Sequence, residues 1–162
     1  MPEVHVITPG ALLHVAQNMR AADRKEFSCC REDPTPRNIT TTILARGRYG
    51  FIVYTDDGEP VAAIGAVPLW PGVCAVWAFG TDRWPEVILT LTKHALRVIM
   101  PELLKQGFHR AQCFPMAERV DVARWLGLLG FHHEGRLSGF GSGREDFSLY
   151  AWTANVEQSQ NN

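Results

Sequence analysis

The residues best placed to do chemistry follow the apolar run VCAVWAF (73–79) and precede a helical stretch that begins near residue 86. Between them Gly80-Thr81-Asp82-Arg83-Trp84-Pro85-Glu86 reads as a strand-to-helix turn. Such a turn offers free N–H groups and the positive end of a helix dipole, and both favour an anion such as a phosphate. Arg83 adds a guanidinium able to grip a phosphate through two N–H groups. Other residues of the same turn work in the opposite direction. Pro85 removes a donor, Asp82 and Glu86 bring negative charge, and Asp82 can cap the helix itself.

The remaining reactive side chains are sparse. Of the four cysteines, Cys29, Cys30, Cys74 and Cys113, the vicinal pair cannot close an ordinary disulfide without strain. No CxxC spacing occurs, so reduced thiols are expected. His132-His133 lies in a strand whose alternation sends one ring inward and one outward. No further ligands stand at a metal-binding spacing, and the pair reads as structural. Trp77, Trp84 and Trp125 are of the type that lines pockets or fills cores. Trp84, beside Pro85, is the one expected to be exposed.

The elements that must hold these residues are legible from periodicity. EVHVIT (3–8) reads as a short strand ended by Pro9-Gly10. From Ala11 to about Phe27 the pattern is helical, with Leu12, Val15, Ala16, Met19 and Ala22 on one apolar face. Asp23 and Glu26 continue that stripe, which points them toward the body of the protein. REDPTPRNITTT (31–42) reads as a loop leading into a short helix before Gly47. YGFIVYT (49–55) and PVAAIGAVPL (60–69) flank Asp56-Asp57-Gly58-Glu59, where Asp-Gly is a strong hairpin signal. A turn at Trp70-Pro71-Gly72 leads into VCAVWAF. Helix 86–100 carries Ile88, Leu91, Ala95 and Ile99 on one face, and Pro101 ends or restarts it. HRAQCFP (109–115) is a strand, and AERVDVARWLGLLG (117–130) a helix with Val122, Trp125, Leu126 and Leu129 on one stripe. FHHEGRL and FSLYAWT close the chain as a hairpin. The order β-α-(α)-β-β-β-α-β-α-β-β gives an α/β fold on one central sheet.

Composition bounds the rest. A chain of 162 residues, 46% hydrophobic and 20% charged, fits one globular domain. Residues 1–154 are expected to form it, with 155–162 as a polar tail. Sixteen basic residues against seventeen acidic ones give a net charge of −1. No clustered basic face suggests nucleic acid. No stretch approaches a membrane span and no signal region precedes the first strand, so a cytoplasmic location is expected.

The element order, with a late helix ending "ARWLGLLGF", resembles the GNAT-type N-acyltransferases, where that helix commonly ends in Gly-Phe, here Gly130-Phe131. "NMRAADRKEF" (18–27), the "FGTDRW" turn and "ARWLGLLGF" are similar to the GNAT-like proteins of tailed bacteriophages, some of them internal virion proteins. The resemblance implies a central, mixed, mostly antiparallel sheet flanked by helices. It implies acetyl-CoA or another acyl-CoA as co-substrate, no metal, and a protein or small-molecule amine as acceptor. It also implies action in the host cell cytoplasm or the virion, with a host protein as target.

By this resemblance VCAVWAF is the fourth strand and HRAQCFP the fifth, with pantetheine lying between them and pyrophosphate on the turn. Ala78, Phe79, Gly80, Arg83 and Trp84 are the implied cofactor-binding residues. Glu26 and Asp82 are the candidate bases for the attacking amine, and Cys113 the candidate acid or acyl carrier. Each has a plainer reading: a solvated helix end for Glu26, a helix cap for Asp82 and core packing for Cys113. Three departures stand out. The turn lacks the family's two spaced small residues. The usual tyrosine position is Leu126, which cannot donate a proton. The usual asparagine after the fifth strand is replaced by Pro115 and Met116. A second expectation therefore stands beside the first: a catalytically silent GNAT fold that works by binding another protein.

Overall fold

The structure is a computed structural model that describes residues 1–47 and 49–155. Arg48 and, apart from Asn155, the expected polar tail lie outside the described residues. Seven strands form one sheet in the order β1-β2-β3-β4-β5-β7-β6. They are β1 (Glu3–Val6), β2 (Tyr49–Tyr54), β3 (Pro60–Trp70), β4 (Val73–Gly80), β5 (Arg110–Cys113), β6 (His132–Leu137) and β7 (Phe147–Thr153). The helices are α1 (Pro9–Gln17), α2 (Ala21–Cys29), α3 (Pro36–Arg46), α4 (Trp84–His94), α5 (Met100–Lys105) and α6 (Val120–Leu128). Neighbours β1–β2, β2–β3, β5–β7 and β6–β7 run antiparallel, whereas β4–β5 is parallel. The mixed, mostly antiparallel sheet expected from the sequence is the one observed.

The described residues group into two compact units: those of Met1–Val67 with Trp77–His94, and Pro68–Val76 with residues 95–155. In the first, α1 starts earlier than its apolar pattern suggests. Thr8 Oγ1 accepts from Ala11 N–H at 3.4 Å, and Pro9 falls in the first turn, where a missing N–H costs nothing. Leu12, Val15 and Ala16 are buried as expected. The helix does not run on to Phe27. Arg20 is extended (φ −59°, ψ 151°), its N–H donates to Gly80 O at 2.8 Å, and Met19 bridges Thr81. Docking on the end of β4 breaks the helix and resets its phase, so Ala22 is exposed and Asp23 is buried.

The segment read as a loop from 31 to 42 is mostly helix. Thr35 caps α3 by accepting from Asn38 N–H, and Pro36 again sits in the first turn. Ile39 and Ile43 then join Leu12, Val15, Ile52, Ala63 and Phe79 in one core. Burying each of the larger side chains among them contributes about 1.5–3 kcal/mol. The hairpin between β2 and β3 forms as its Asp-Gly signal requires, with Gly58 at φ 83° and Thr55 N–H donating to Glu59 O.

The second unit opens on a π-helical turn, Ala95–Ile99, and continues as α5. Pro101 lacks the N–H that an α-helix would donate four residues back, and the widened turn accommodates that loss. α6 ends at Gly130 (φ 85°), with Phe131 N–H donating to Leu126 O and Gly130 N–H to Gly127 O. This pair of bonds is the Schellman closure, so the Gly-Phe signature has a local cause. Leu126, Leu129, Phe131 and Phe147 pack inside. The alternation expected at His132-His133 fails. Both residues are exposed because β6 is an edge strand whose register shifts between His133 and Gly135.

Candidate functional site

The strand-to-helix turn sits in the first unit, and its backbone donors are largely committed. Gly80 N–H donates to Asp23 Oδ2 at 2.9 Å, and Thr81 N–H to Val61 O. Arg83 N–H reaches Thr81 Oγ1, Trp84 N–H reaches Thr81 O, and Glu86 N–H reaches Arg83 O. Thr81, rather than Asp82, is thus the side chain that closes the turn. Asp82 is exposed and makes no hydrogen bond or ion pair among the described residues.

Arg83 lies in a cage of three carboxylates. Nε and Nη2 form a two-pronged contact with Glu86 at 2.9 and 2.8 Å, while Nη1 meets Asp57 at 3.1 Å and also Glu59. Such a guanidinium–carboxylate fork combines charge and fixed geometry. These bonds raise the pKa of Arg83 above its ordinary value, the Glu86 contact most of all. The same contact holds the Glu86 carboxyl below the usual range. Asp57 is lowered first by the Thr55 hydroxyl and then by Arg83. His14 Nε2 stands 3.5 Å from the other Glu59 oxygen.

A second cluster fixes the end of β4 from the other side. Asp23 is 2% exposed and accepts from Arg20 Nε at 2.8 Å as well as from Gly80. The Arg20 guanidinium lies over the Trp84 ring, 4.3 Å from its centroid. Trp84 is therefore buried, not exposed as its place beside Pro85 suggested. Its ring closes on Gly80 so tightly that a Cβ there would come within 2.3 Å of it.

The other candidates are distributed more widely. Phe79 is fully buried, edge-on to Phe27 and stacked on Trp77. Ala78 and Glu26 are half-buried. Cys113 ends β5 in the second unit, half-buried and in register with Tyr150. Cys74 is buried, with its thiol pushed up to about 11 by desolvation, and so stays protonated. Leu126 is buried. The structure thus brings Gly80, Asp82, Arg83 and Trp84 together on one turn and places Asp23 on it. Asp57 and Glu59, which the sequence marks only as hairpin residues, are the partners missed for Arg83. Among the described residues no group of three or more His, Cys, Asp or Glu is placed to hold a metal, and no helix is long and apolar enough to cross a membrane.

No protein-family model matches the sequence, and no curated protein matches it. Solved structures do. A candidate phosphinothricin N-acetyltransferase superposes with a TM-score of 0.75 at 14% identity, over 96% of this chain and 99% of the other. The ribosomal-protein-S18-alanine N-acetyltransferase from Escherichia coli gives 0.68 at 15% identity, over 96% and 97%. AAC(6')-Ib, solved in complex with ribostamycin and coenzyme A, gives 0.67 at 13% identity, over 99% and 97%. The chain has the fold of the GNAT acetyltransferases. At this identity the likeness establishes the architecture, and activity has to be argued from the site.

Proposed function

We propose that the chain is a GNAT-type N-acyltransferase, moving an acyl group from acetyl-CoA or another acyl-CoA to an amine. The observation that carries this reading is β4. It is parallel to β5 in an otherwise antiparallel setting, and their ladder covers only Val73–Ala75 before β4 continues to Gly80. In the family that the sequence resembles, pantetheine lies along this continuation. Ala78 and Phe79 would meet it through their main chain, with Gly80, Arg83 and Trp84 toward the diphosphate. For Arg83 to serve a diphosphate, its guanidinium must exchange one of its three carboxylates for a phosphate oxygen.

In the reaction the amine loses a proton and attacks the thioester carbon, the C–S bond breaks, and the thiolate takes up a proton. Glu26 and Asp82 are assigned as proton acceptors, directly or through water, and Cys113 as proton donor to the thiolate. The acceptor is a protein or small-molecule amine. The phage-like sequence features support a role in an infected bacterial cell, with a host protein as the target.

A second reading, a silent GNAT fold that binds a partner protein, is favoured by one observation: the turn's donors are already occupied by Asp23, Val61 and Thr81. Release of free thiol from acetyl-CoA, followed with a panel of amines, separates the two. The acyltransferase reading expects turnover with at least one amine, reduced tenfold or more in Glu26→Gln or Asp82→Asn. Absence of thiol release with every amine, by a folded protein, selects the binding role.

A further inference from the structure

The Arg83 cage has a neighbour that the proposed reaction leaves unused. Glu59 gives Oε2 to Arg83 Nη1, and its other oxygen, Oε1, stands 3.5 Å from His14 Nε2 on α1. His14 Nε2 is enclosed and makes no hydrogen bond, while the residue as a whole is half-buried. No other charged group among the described residues comes within ion-pair distance of His14: neither Arg37 and Arg46 on α3, Asp23 and Arg24 on α2, nor Asp57 and Arg83 beside the hairpin. The ring therefore meets the cage through Glu59 alone. The other histidines of this unit have separate settings, His5 against Glu3 and His94 against Phe51.

Three carboxylates around one guanidinium leave the cage negative, the wrong sign for a diphosphate. The three are not held alike. Glu86 grips Arg83 through two N–H groups, and Asp57 is steadied by the Thr55 hydroxyl. The Glu59 carboxylate has neither restraint, and of the three it alone has a second cation-forming group within reach. Its main chain is fixed, with its N–H donating to Thr55 Oγ1 and its carbonyl accepting from Thr55 N–H. A change of partner thus needs only side-chain rotation. Histidine ordinarily exchanges its proton near neutral pH. Once charged, both ring nitrogens are donors and a carboxylate is their natural partner.

We infer that His14 is a proton-operated release for Arg83: the protonated ring draws Glu59 off the guanidinium and opens it to the cofactor diphosphate. The same proton offsets part of the surplus negative charge, so the two effects act in one direction. By linkage, cofactor binding in turn draws a proton onto His14. The inference rests on the acyltransferase reading, in which Arg83 meets the diphosphate.

The test is isothermal titration of the full-length native protein, His14→Leu and Glu59→Gln with acetyl-CoA and, separately, with inorganic pyrophosphate. It is run at pH values of about 6 and 8, on either side of the ordinary histidine titration. Both probes titrate as well, so the quantity read is the difference between native protein and variant at each pH. On lowering the pH, the native protein should gain affinity for acetyl-CoA by about fivefold or more over any gain in His14→Leu. It should also take up protons on binding, seen as a heat that varies with the ionisation heat of the buffer, and His14→Leu should lose that uptake. Glu59→Gln, which removes the carboxylate shared by the two cations, should bind more tightly than native protein at the higher pH and show no extra pH dependence. The inference is overturned if His14→Leu keeps the native pH dependence, or if Glu59→Gln binds no more tightly than native protein at the higher pH. Pyrophosphate keeps the two readings apart. If it binds with the expected pattern while acetyl-CoA gives no heat at either pH, the acyltransferase falls and the release stands. Acetyl-CoA binding that is alike in native protein and His14→Leu removes only the release, and heat from neither probe removes both.

Discussion

Asp23 shows how much a single carboxylate can organise. It satisfies Gly80 N–H and the Arg20 guanidinium from a position 2% exposed. Replacing it with Ala strands a buried donor and an uncompensated charge. Asp23→Ala should therefore lose about 3 kcal/mol of unfolding free energy in urea, and Asp23→Asn, which keeps an acceptor for Gly80, clearly less. The sequence pointed Asp23 inward along a continuous apolar stripe, but its burial comes from the break at Arg20 that resets the helix phase, which the sequence did not mark. The Arg83 cage was not legible. Asp57 and Glu59 lie more than twenty residues away and serve equally well as hairpin residues, so nothing local marks them as charge partners. The cage makes two predictions. Glu86→Gln frees part of the guanidinium and should tighten acetyl-CoA binding several-fold if Arg83 meets the diphosphate. The folded-state pKa values of Asp57 and Glu86 are depressed, so their contribution to stability is present above the unfolded pKa of about 4 and lost as pH falls through the lower folded values. Arg83→Gln should lower Tm at pH 7 and flatten its fall in acid.

At the scale of elements, the junction of β4 with α4 is set by packing as much as by turn chemistry. A methyl group at Gly80 would meet the Trp84 ring at 2.3 Å and Val61 O at 3.0 Å. Gly80→Ala should cost about 1–3 kcal/mol by overpacking, measurable as a lower midpoint in urea. α4 carries a different sensitivity at its end. His94 Nε2 is buried without an acceptor, its ring edge-on to Phe51 at 4.6 Å, and burial lowers its pKa. The stability this neutral ring supports is complete above the unfolded pKa of about 6.5 and declines as pH falls below it, where the unfolded chain binds the extra proton. Tm should thus drop between pH 7 and pH 5, and His94→Leu should reduce that drop. The type of nearly every element was readable from its periodicity. The errors have tertiary or capping causes: Gly80 interrupts the first helix at Arg20, and Thr35 with Pro36 starts a helix where two prolines suggested a loop.

For the whole molecule, the order of elements sufficed to anticipate an α/β fold on one central sheet, and the family resemblance supplied its mixed, mostly antiparallel character. A fold is specified by many weak and redundant signals, which survive when any one residue departs from pattern. A site rests on a few side chains whose partners are fixed only in three dimensions, and here the strand-to-helix turn is closed by residues from separate segments. The central claim, that this GNAT fold still binds an acyl-CoA, is tested most directly by isothermal titration of the native protein with acetyl-CoA. The account predicts a saturable one-to-one heat with micromolar affinity. Absence of heat, together with no thermal shift at millimolar cofactor, would contradict it and leave the fold as a scaffold for binding.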